Sequence, residues 1–283
     1  MNILLAMIPA FFWGTTYAVT QYSLTDWPPL LLGAIRALPA GLLLLMIKPS
    51  LPKKGDWQIL FSLGLINIAT FFGLIFVMAL TLPSAISGVG MVSVPVFAMV
   101  YNWVVNKNRP NSIQAVCGAA LVGLAWMLFS PGSISLDPIG WGAMLAAIMC
   151  IVAGSSLTKS LGNRMHWWTV LTWQLILGGA ILSVAAGFQA VVDPAQYSNA
   201  LGNFSLRNGL GLLWVVGLNT ALGYGMYVWL LQRMTVVDFT FGGIANPIAG
   251  ILTGLVLLGE SFSPFQYSLM IGMIVMSLLP QAI

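Results

Sequence analysis

The chain contains 283 residues, of which 59% are hydrophobic and only 6% are charged. A soluble domain carries about 25% charged residues, so water could not solvate this surface and lipid must cover most of it. The net charge of +4 comes from scattered residues, and no basic tract has the density that nucleic-acid binding requires.

Continuous apolar segments follow one another along the whole chain. A helix needs roughly 20 such residues to cross a hydrocarbon core of about 30 Å, and β-barrel strands would instead be short and alternating. The first segment follows Met1 and Asn2 directly, without the charged region of a signal peptide, so we interpret it as a retained helix. The sequence predicts an all-α integral membrane protein with ten transmembrane helices, at about 3–22, 28–47, 57–80, 84–105, 112–130, 138–158, 168–190, 208–231, 236–258 and 265–282.

The positions of the cations predict how these spans are oriented. Positive residues stay on the cytoplasmic side of short loops. With the N-terminus in the cytoplasm, eight of the ten cations lie in cytoplasmic connections, Arg207 lies outside, and Arg36 lies within a span. This distribution predicts cytoplasmic N- and C-termini. The longest external connection, about 191–207, has room for a short surface helix.

The two halves of the chain resemble each other. An offset of 152 residues pairs Asn67 with Asn219 and Pro95 with Pro247, and an offset of 138 pairs RALPAG (36–41) with QLILGG (174–179). The larger offset also pairs Phe72 with Tyr224, Gly73 with Gly225, Gly90 with Gly242 and Gln114 with Gln266. Five spans is an odd number, so the second copy enters the bilayer inverted. We predict two inverted five-helix repeats, residues 1–132 and 133–283, as in many secondary transporters whose substrate site lies near the bilayer midplane.

Short motifs in these spans resemble a known superfamily. FWG (12–14) lies in the first span, NP (246–247) in the ninth, and LGE (258–260) at the end of the ninth. Their order and the five-plus-five organisation resemble the EamA-type drug/metabolite transporter superfamily over essentially the whole chain, and most of all its bacterial aromatic amino acid exporters. The resemblance implies a central cavity lined by spans one to four and six to nine, with five and ten peripheral. The first half has NKN (106–108) in place of LGE, so Glu260 has no acidic counterpart.

Arg36 is the one ionisable residue between Pro28 and Ile47. It lies roughly 12 Å along its span at 1.5 Å per residue, where an arginine costs about 2.5–3.5 kcal/mol. One interpretation is that its guanidinium faces a cavity and binds the carboxylate of an amino acid substrate through two charge-assisted hydrogen bonds. The other is that the side chain extends outward, to Asp26 or to backbone carbonyls. The sequence leaves both open.

Other polar and aromatic side chains are candidates for the cavity wall. Asn67 and Asn219 could bind substrate or simply hydrogen-bond neighbouring helices. Trp13 and Tyr17 share one helix face and lie deeper than the aromatic belt that accounts for most of the tryptophans. The predicted substrate-binding residues are Arg36, Trp13, Tyr17, Asn67, Phe71, Ser87, Met91, Asn219, Tyr224, Tyr227 and Asn246. Aromatic walls would suit apolar and aromatic substrates.

Two prolines interrupt corresponding spans. Pro95 and Pro247 each remove a backbone hydrogen bond, and the carbonyls that this frees must be satisfied by protein or by a water-lined cavity. We predict a pair of kinks that line or gate the cavity, while a static kink that allows close helix packing is the alternative. The predicted gating residues are Pro95, Pro247, Gly88, Gly90, Gly242 and Gly243.

Missing motifs restrict the mechanism. The chain has no Walker motif, no carboxylate lies deep in a predicted span, and the single histidine, His166, lies in a loop. We therefore predict no ATP hydrolysis and little or no proton coupling, as in a facilitator or exchanger. The same scarcity disfavours an intramembrane enzyme and predicts no metal or cofactor. Cys117 and Cys150 lie in apolar runs and are expected to be buried free thiols.

Together these features predict a secondary transporter of a bacterial inner membrane. It would export amino acids, aromatic and other apolar ones first, by alternating access, as a monomer or a homodimer. An exporter of aromatic organic cations or drugs is the alternative, because such ligands bind Trp and Tyr faces through cation–π attraction. Arg36 in the cavity would repel them.

Overall fold

A computed structural model describes residues 3–107, 109–128, 137–162, 164–233, 242–243 and 245–282. It is 87% helical, and its described residues contain no strand, so the predicted all-α class is confirmed. The first helices are α1 (Ile3–Ser23), α2 (Pro29–Ile47), α3 (Trp57–Leu63, Gly64–Thr70 and Phe71–Thr81) and α4 (Ser84–Gly90, Met91–Ser93 and Val94–Asn106). They are followed by α5 (Ser112–Leu128), α6 (Pro138–Leu161), α7 (Trp167–Val192) and α8 (Pro194–Gly202). The last are α9 (Leu206–Leu213, Trp214–Leu222 and Gly223–Leu231), α10 (Ala245–Leu258) and α11 (Pro264–Ala282).

Six of the described helices are long and apolar enough to cross a membrane, and they run within α2, α3, α4, α6, α7 and α9. Helices α5, α10 and the 264–276 part of α11 are shorter but also apolar. The protein is therefore a multi-pass membrane protein, while the number of ten spans stays a prediction. Residues 236–241, at the start of the predicted ninth span, lie outside the described residues.

Local sequence explains where several helices begin. Asp137 precedes Pro138, the first residue of α6, and its Oδ1 accepts from the Ile139 N–H at 2.7 Å. His166 accepts from the Trp168 N–H at 3.2 Å, so this exposed histidine caps the N-terminus of α7. The short helix α8 lies in the connection in which the sequence left room for a surface helix.

Three helices are irregular in their middles. The chain is π-helical at Gly64–Thr70 in α3 and at Trp214–Leu222 in α9, and it forms a 3-10 turn at Met91–Ser93 in α4. Pro95 follows that turn as the second residue of the last segment of α4. Pro95 has no N–H to donate to the carbonyls of the preceding turn of α4, so it removes one hydrogen bond of the helix, and the 3-10 turn lies directly before this position.

Side-chain contacts join the connections at each end of the bundle. At one end, Arg164 Nη2 lies 2.9 Å from Asp56 Oδ1, and the Trp168 indole donates to the Lys48 carbonyl at 3.0 Å. At the other end, Asn208 Nδ2 donates to the Ser23 carbonyl at 2.6 Å. We call these the Arg164 end and the Glu260 end, because Glu260 accepts from the N–H groups of Ser84 and Ala85 at the second one.

Among the described residues, Gln232 Nε2 also donates to the Met165 carbonyl at the Arg164 end, and Gln21 Nε2 to the Leu82 carbonyl at the Glu260 end. The residues that meet at each of these contacts belong to connections, or helix ends next to them, that the sequence predicts on one side of the membrane.

Helices α2 and α7 cross in the centre of the bundle through glycines. A Cβ atom on Gly41 would lie 2.8 Å from Ile176 Cγ1, and one on Gly179 would lie 2.5 Å from the backbone nitrogen of Leu38. Only glycine permits such a close backbone approach. Away from this crossing, α5 packs against α11, where Gly272 contacts Leu124. Cys117 is buried and Cys150 is half-buried, and both are free thiols.

Candidate functional site

Arg36 lies inside the bundle and not at its surface. Its residue is 2% exposed, and its Nε donates to Thr220 Oγ1 at 2.7 Å. The guanidinium carbon lies 4.1 Å from the centroid of the Phe72 ring and 5.8 Å from that of Phe76. These contacts come from α3 and α9, so the side chain turns inward. The structure therefore contradicts the interpretation in which Arg36 extends outward to Asp26 or the membrane surface.

No carboxylate neutralises this charge among the residues that the structure describes, where Arg164 and Asp56 form the one ion pair. Within the same residues, Nε is the one nitrogen of Arg36 that has a hydrogen-bond acceptor, and the two terminal nitrogens have none. A guanidinium carries five N–H donors in a planar fork that matches a carboxylate. Its terminal edge is thus free to bind an anionic group.

An aromatic cluster lies beside Arg36. The Tyr224 ring lies 5.1 Å from Phe72, 5.2 Å from Trp13 and 5.5 Å from Tyr227, measured between centroids. Trp13 also lies 5.2 Å from Tyr227. Tyr17 is buried on the helix face that carries Trp13, and it lies within electrostatic range of Arg36. The structure therefore brings together the four aromatic residues predicted from α1 and α9, and adds Phe72.

The polar atoms of this cluster are fixed by hydrogen bonds between helices. The Trp13 indole donates to the Asn219 carbonyl at 3.0 Å, and the Tyr224 hydroxyl donates to the Asn67 carbonyl at 3.2 Å. The Tyr227 hydroxyl lies 2.6 Å from Ser155 Oγ. Buried phenol and indole groups commonly have such partners. These bonds fix the orientation of the three rings in the cluster that packs on Phe72.

Asn67 and Asn219 lie at corresponding places and make different contacts. Asn67 Nδ2 donates to Gln174 Oε1 at 3.0 Å, whereas Asn219 Nδ2 donates to Thr16 Oγ1 at 2.6 Å. Both side chains are fully buried, and both leave Oδ1 without a hydrogen-bond donor among the described residues. Each amide thus joins two helices, which is one of the two predicted roles, and keeps one acceptor free, while substrate binding stays a prediction.

Asn246 at the start of α10 adds a third free acceptor. Its side chain interacts with the Tyr17 hydroxyl, while its own Oδ1 is buried and has no donor within the described part of the chain. Its backbone carbonyl packs directly against Gly14 of α1. Asn246 and Asn219 therefore contact the same part of α1 from two different helices.

The remaining predicted lining residues lie farther from this centre. Phe71 is buried next to Phe72, and Ser87 is fully buried on α4 with an unpaired hydroxyl. Met91 is partly buried in the 3-10 turn of α4. No described hydrogen bond or ring contact joins Ser87 or Met91 to Arg36.

The predicted gating residues occupy helix contacts. Gly88 of α4 lies against Gly250 and Pro247 of α10, Gly90 against Met144 of α6, and Gly242 against Ala6 of α1. Pro247 is buried in the first turn of α10, Gly243 is half-buried, and the backbone at Pro95 follows the 3-10 turn. These positions agree with close packing, so gating stays a prediction.

Sequence reasoning missed the role of Glu260. Its two carboxylate oxygens accept from the backbone N–H groups of Ser84 and Ala85, the second at 3.0 Å, at the N-terminus of α4. Gly259 has a φ of 65°, which turns the chain after α10 and lets the Glu260 N–H donate to the Gly254 carbonyl at 3.1 Å. The glycine and the glutamate of LGE thus end one helix and cap another.

Thr220, Phe72 and Gln174 were also missed as site residues. The self-alignment contained a signal for two of them, because it pairs Phe72 with Tyr224 and Arg36 with Gln174. Each pair contributes to the same polar and aromatic network in the structure. No signal in the sequence distinguished Thr220 from other threonines in apolar spans.

Comparisons with known proteins show the family to which the sequence is related. Residues 1–130 match the model of a family described as the EamA-like transporter family. The chain is 30% identical over 260 residues to Protein PecM of Dickeya dadantii, covering 90% of the chain and 83% of that protein. It is 27% identical over 277 residues to the uncharacterized inner membrane transporter YedA of Escherichia coli, covering 93% of the chain and 84% of YedA.

More distant matches extend over nearly the full length. The chain is 25% identical to the uncharacterized transporter YwfM of Bacillus subtilis, covering 98% of the chain and 94% of YwfM. A crystal structure of a protein that is 14% identical superimposes with a TM-score of 0.66, covering 99% of this chain and 98% of the other. At that identity the superposition shows a shared fold alone.

Proposed function

The chain belongs to the EamA-like transporter family, and from that premise we propose that it exports amino acids from the cytoplasm, aromatic and other apolar ones first. As a membrane transporter it moves a small molecule across a lipid bilayer. The substrate would pass through a site between the two halves, with access alternating between the Arg164 end and the Glu260 end.

The free edge of the Arg36 guanidinium carries the proposal. A buried charge without a counter-charge is costly, and the described residues give this one a threonine hydroxyl and the face of an aromatic ring. A substrate carboxylate would supply both the missing charge and the missing acceptors. The rings of Trp13, Tyr224 and Tyr227 form a cluster that packs on Phe72, the ring beneath the guanidinium, and they would contact an apolar or aromatic side chain.

Alternating access is supported by correspondences between the halves. An offset of 150 to 152 residues relates the π-helical segments Gly64–Thr70 and Trp214–Leu222, and π-helical turns often occur at functional sites. Gly41 and Gly179 contact opposite helices at the α2–α7 crossing. We propose that these pairs belong to inverted repeats 1–132 and 133–283, which would rock about this central region.

Localisation and energy source follow from the same proposal. We place the protein in a bacterial inner membrane with both termini cytoplasmic, because eight cations lie in the connections on that side. Export without ATP and without strong proton coupling agrees with a site centred on arginine, amide and aromatic groups. A monomer or a homodimer would fit, since α5 and α11 pack on each other away from the site.

Export of aromatic organic cations is the second candidate, and the aromatic cluster favours it. Tryptophan and tyrosine faces attract cations. Against it, Arg36 already lies over the Phe72 ring and would repel a second positive charge. We therefore place amino acids first.

Efflux from proteoliposomes preloaded with labelled tryptophan, without a pH gradient, tests the proposal. We expect wild-type efflux, a fall of about tenfold or more in Arg36→Gln, and an intermediate rate in Arg36→Lys, which keeps the charge but loses the fork. Arg207→Gln is the matched control, because Arg207 is an exposed arginine whose guanidinium lies 5.5 Å from the Tyr22 ring. Undiminished efflux by Arg36→Gln would contradict substrate binding by Arg36 and leave it a structural role only. No efflux by folded wild type would reject the amino acid substrate, and organic cations would be tested next.

A further inference from the structure

Two buried amide oxygens near Arg36 have no hydrogen-bond donor. They are Oδ1 of Asn219 in α9 and Oδ1 of Asn246 in α10, and the described residues offer neither a partner. Asn219 is 0% exposed. Native proteins satisfy most buried polar atoms, because an unsatisfied one loses its hydration without replacement. Two such acceptors, on helices that both pack against α1, therefore point to a missing donor.

A third buried amide oxygen, Oδ1 of Asn67, also has no donor among the described residues. Close packing explains why no ligand reaches it, and this explanation does not apply to Asn219 and Asn246. Asn67 Oδ1 lies tightly against Gly154 of α6, where no space is left even for a methyl group. Its amide nitrogen is bonded to Gln174 on α7. Asn67 thus faces the α3–α6 contact, whereas Asn219 and Asn246 both face α1.

Contacts on α1 place the two oxygens at one site. Asn219 Nδ2 donates to Thr16 Oγ1 at 2.6 Å, and Asn246 interacts with the hydroxyl of Tyr17, the next residue. Arg36 reaches the same site from α2, because its Nε is bonded to Thr220, the residue after Asn219. The Tyr17 hydroxyl and the Arg36 guanidinium are also within electrostatic range. The unpartnered amide oxygens of Asn219 and Asn246 and the unpartnered edge of the Arg36 guanidinium therefore belong to one site.

These groups restrict the chemistry of an occupant. Amide oxygens only accept hydrogen bonds, so they need N–H or O–H donors, and an ammonium group offers three. Sites for divalent metal cations usually combine carboxylates with carbonyl oxygens, and the described residues contain no group of three His, Cys, Asp or Glu that could hold a metal ion. The fork of Arg36 requires a carboxylate nearby. A single carbon that bears both an ammonium and a carboxylate satisfies the whole set.

We propose that Asn219 and Asn246 form an ammonium subsite opposite Arg36, so that the protein recognises the α-amino acid zwitterion and not a carboxylate or an amine alone. This rests on the proposed function, whose Arg36 subsite binds the carboxylate. In this arrangement Tyr17 lies between the two charged groups of the substrate. Asn246 also couples recognition to α10, because the same residue contacts α1 through its backbone carbonyl.

Equilibrium binding of two labelled compounds to the purified full-length protein tests the subsite. Indole-3-propionate is tryptophan without its α-amino group. The ratio of the two dissociation constants therefore measures how much the ammonium group contributes to binding. We expect wild type to bind tryptophan about tenfold more tightly, the effect of one good hydrogen bond to a charged group. In Asn219→Leu and Asn246→Leu the ratio should fall towards one, through weaker tryptophan binding and unchanged indole-3-propionate binding.

The outcomes separate this inference from the proposed function. Equal affinity of wild type for the two compounds would overturn the ammonium subsite and leave amino acid transport standing. A tenfold ratio that persists in both variants would overturn the assignment to Asn219 and Asn246. No binding of either compound to wild type would remove the proposed function and the subsite with it. Thr172→Val is the matched control, because Thr172 also carries a buried unpaired oxygen, but on α7, and its ratio should equal that of wild type.

Discussion

The Arg36 side chain is oriented by one hydrogen bond and one aromatic ring. Thr220 Oγ1 accepts from Nε at 2.7 Å and in turn donates to the Val215 carbonyl at 2.9 Å. That second bond reaches back five residues, as the π-helical segment of α9 allows. The hydroxyl thus faces the guanidinium with its lone pairs. The irregular helix and the position of the charge are parts of one arrangement.

Replacing this hydroxyl should weaken substrate binding without abolishing transport. In Thr220→Val the Nε of Arg36 loses its acceptor, and a buried unpaired donor costs about 1–3 kcal/mol. The guanidinium would then turn away from its proposed position. We expect the KM of tryptophan efflux to rise several-fold while kcat changes by less than twofold.

Thr220→Ser is the control for that measurement, because it keeps the hydroxyl and removes only a methyl group. Its KM should stay within about twofold of wild type, a difference below about 0.5 kcal/mol. An unchanged KM in Thr220→Val would show that the Nε hydrogen bond does not position Arg36 for transport.

For single residues, the sequence predicted which ones are unusual but not what they contact. Arg36 was identified because a charge stands out in an apolar segment, and Asn67 and Asn219 because polar groups are rare there. Thr220 and Phe72 belong to residue types that apolar spans commonly contain. Their importance comes from the packing of α2 against α3 and α9, which no local pattern encodes.

The positions of several helices were predictable from hydropathy, because the lipid environment determines both the apolar composition of a span and its helical backbone. Every backbone polar group must be satisfied within lipid, so an apolar run of sufficient length forms a helix, and charges and prolines mark its ends. The structural bounds of α2, α6 and α9 lie within three residues of the predicted ones. The π-helical segments were not predictable, since one extra residue in a helical turn leaves the mean hydropathy unchanged.

The glycine crossing of α2 and α7 gives a prediction for a pair of helices. In Gly179→Ala the new methyl group would lie 2.5 Å from the Leu38 nitrogen, so the backbones must separate. Overpacking of this kind costs about 1–3 kcal/mol. We expect a clear fall in melting temperature, measured by size-exclusion chromatography of heated protein in detergent.

Gly187→Ala is the matched control on the same helix. A Cβ atom there would meet nothing within 4 Å, and alanine favours a helix over glycine by about 1 kcal/mol. Its melting temperature should equal or exceed that of wild type. If the two variants melted alike, the close approach at Gly179 would not limit the packing of α2 and α7.

The side chain of Glu260, which follows α10, links α10 to α4 at the Glu260 end. The carboxylate of Glu260 accepts from two N–H groups at the N-terminus of α4, and Gly88 and Gly250 bring the same helices into contact deeper in the bundle. A carboxylate at this position satisfies free donors and is favoured by the helix dipole. The two contacts hold α4 and α10 together along one side of α1.

The whole molecule concentrates its polar groups near its centre and its ends. The ion pair of Arg164 and Asp56 and the cap formed by Glu260 lie at opposite ends, and Arg36 lies between them. Apolar side chains cover most of the remaining exposed surface, as a bilayer requires. The positive charge in the interior is therefore the largest electrostatic feature of the membrane-embedded part that the structure describes.

That charge should make the protein respond to voltage, even though its proposed substrate is electrically neutral. When access alternates, the water-filled part of the pathway changes sides. If Arg36 stays in place, the share of the transmembrane voltage that falls between Arg36 and each side of the membrane therefore changes at every reorientation. A full charge crossing 100 mV changes the energy by about 2.3 kcal/mol, so a third of the field would alter the rate roughly fourfold. We expect tryptophan efflux to depend on a potassium diffusion potential set with valinomycin, and the residual efflux of Arg36→Gln to be independent of it. If the wild-type efflux rate did not depend on the membrane potential, Arg36 would experience the same share of the transmembrane voltage in the inward-open and outward-open states.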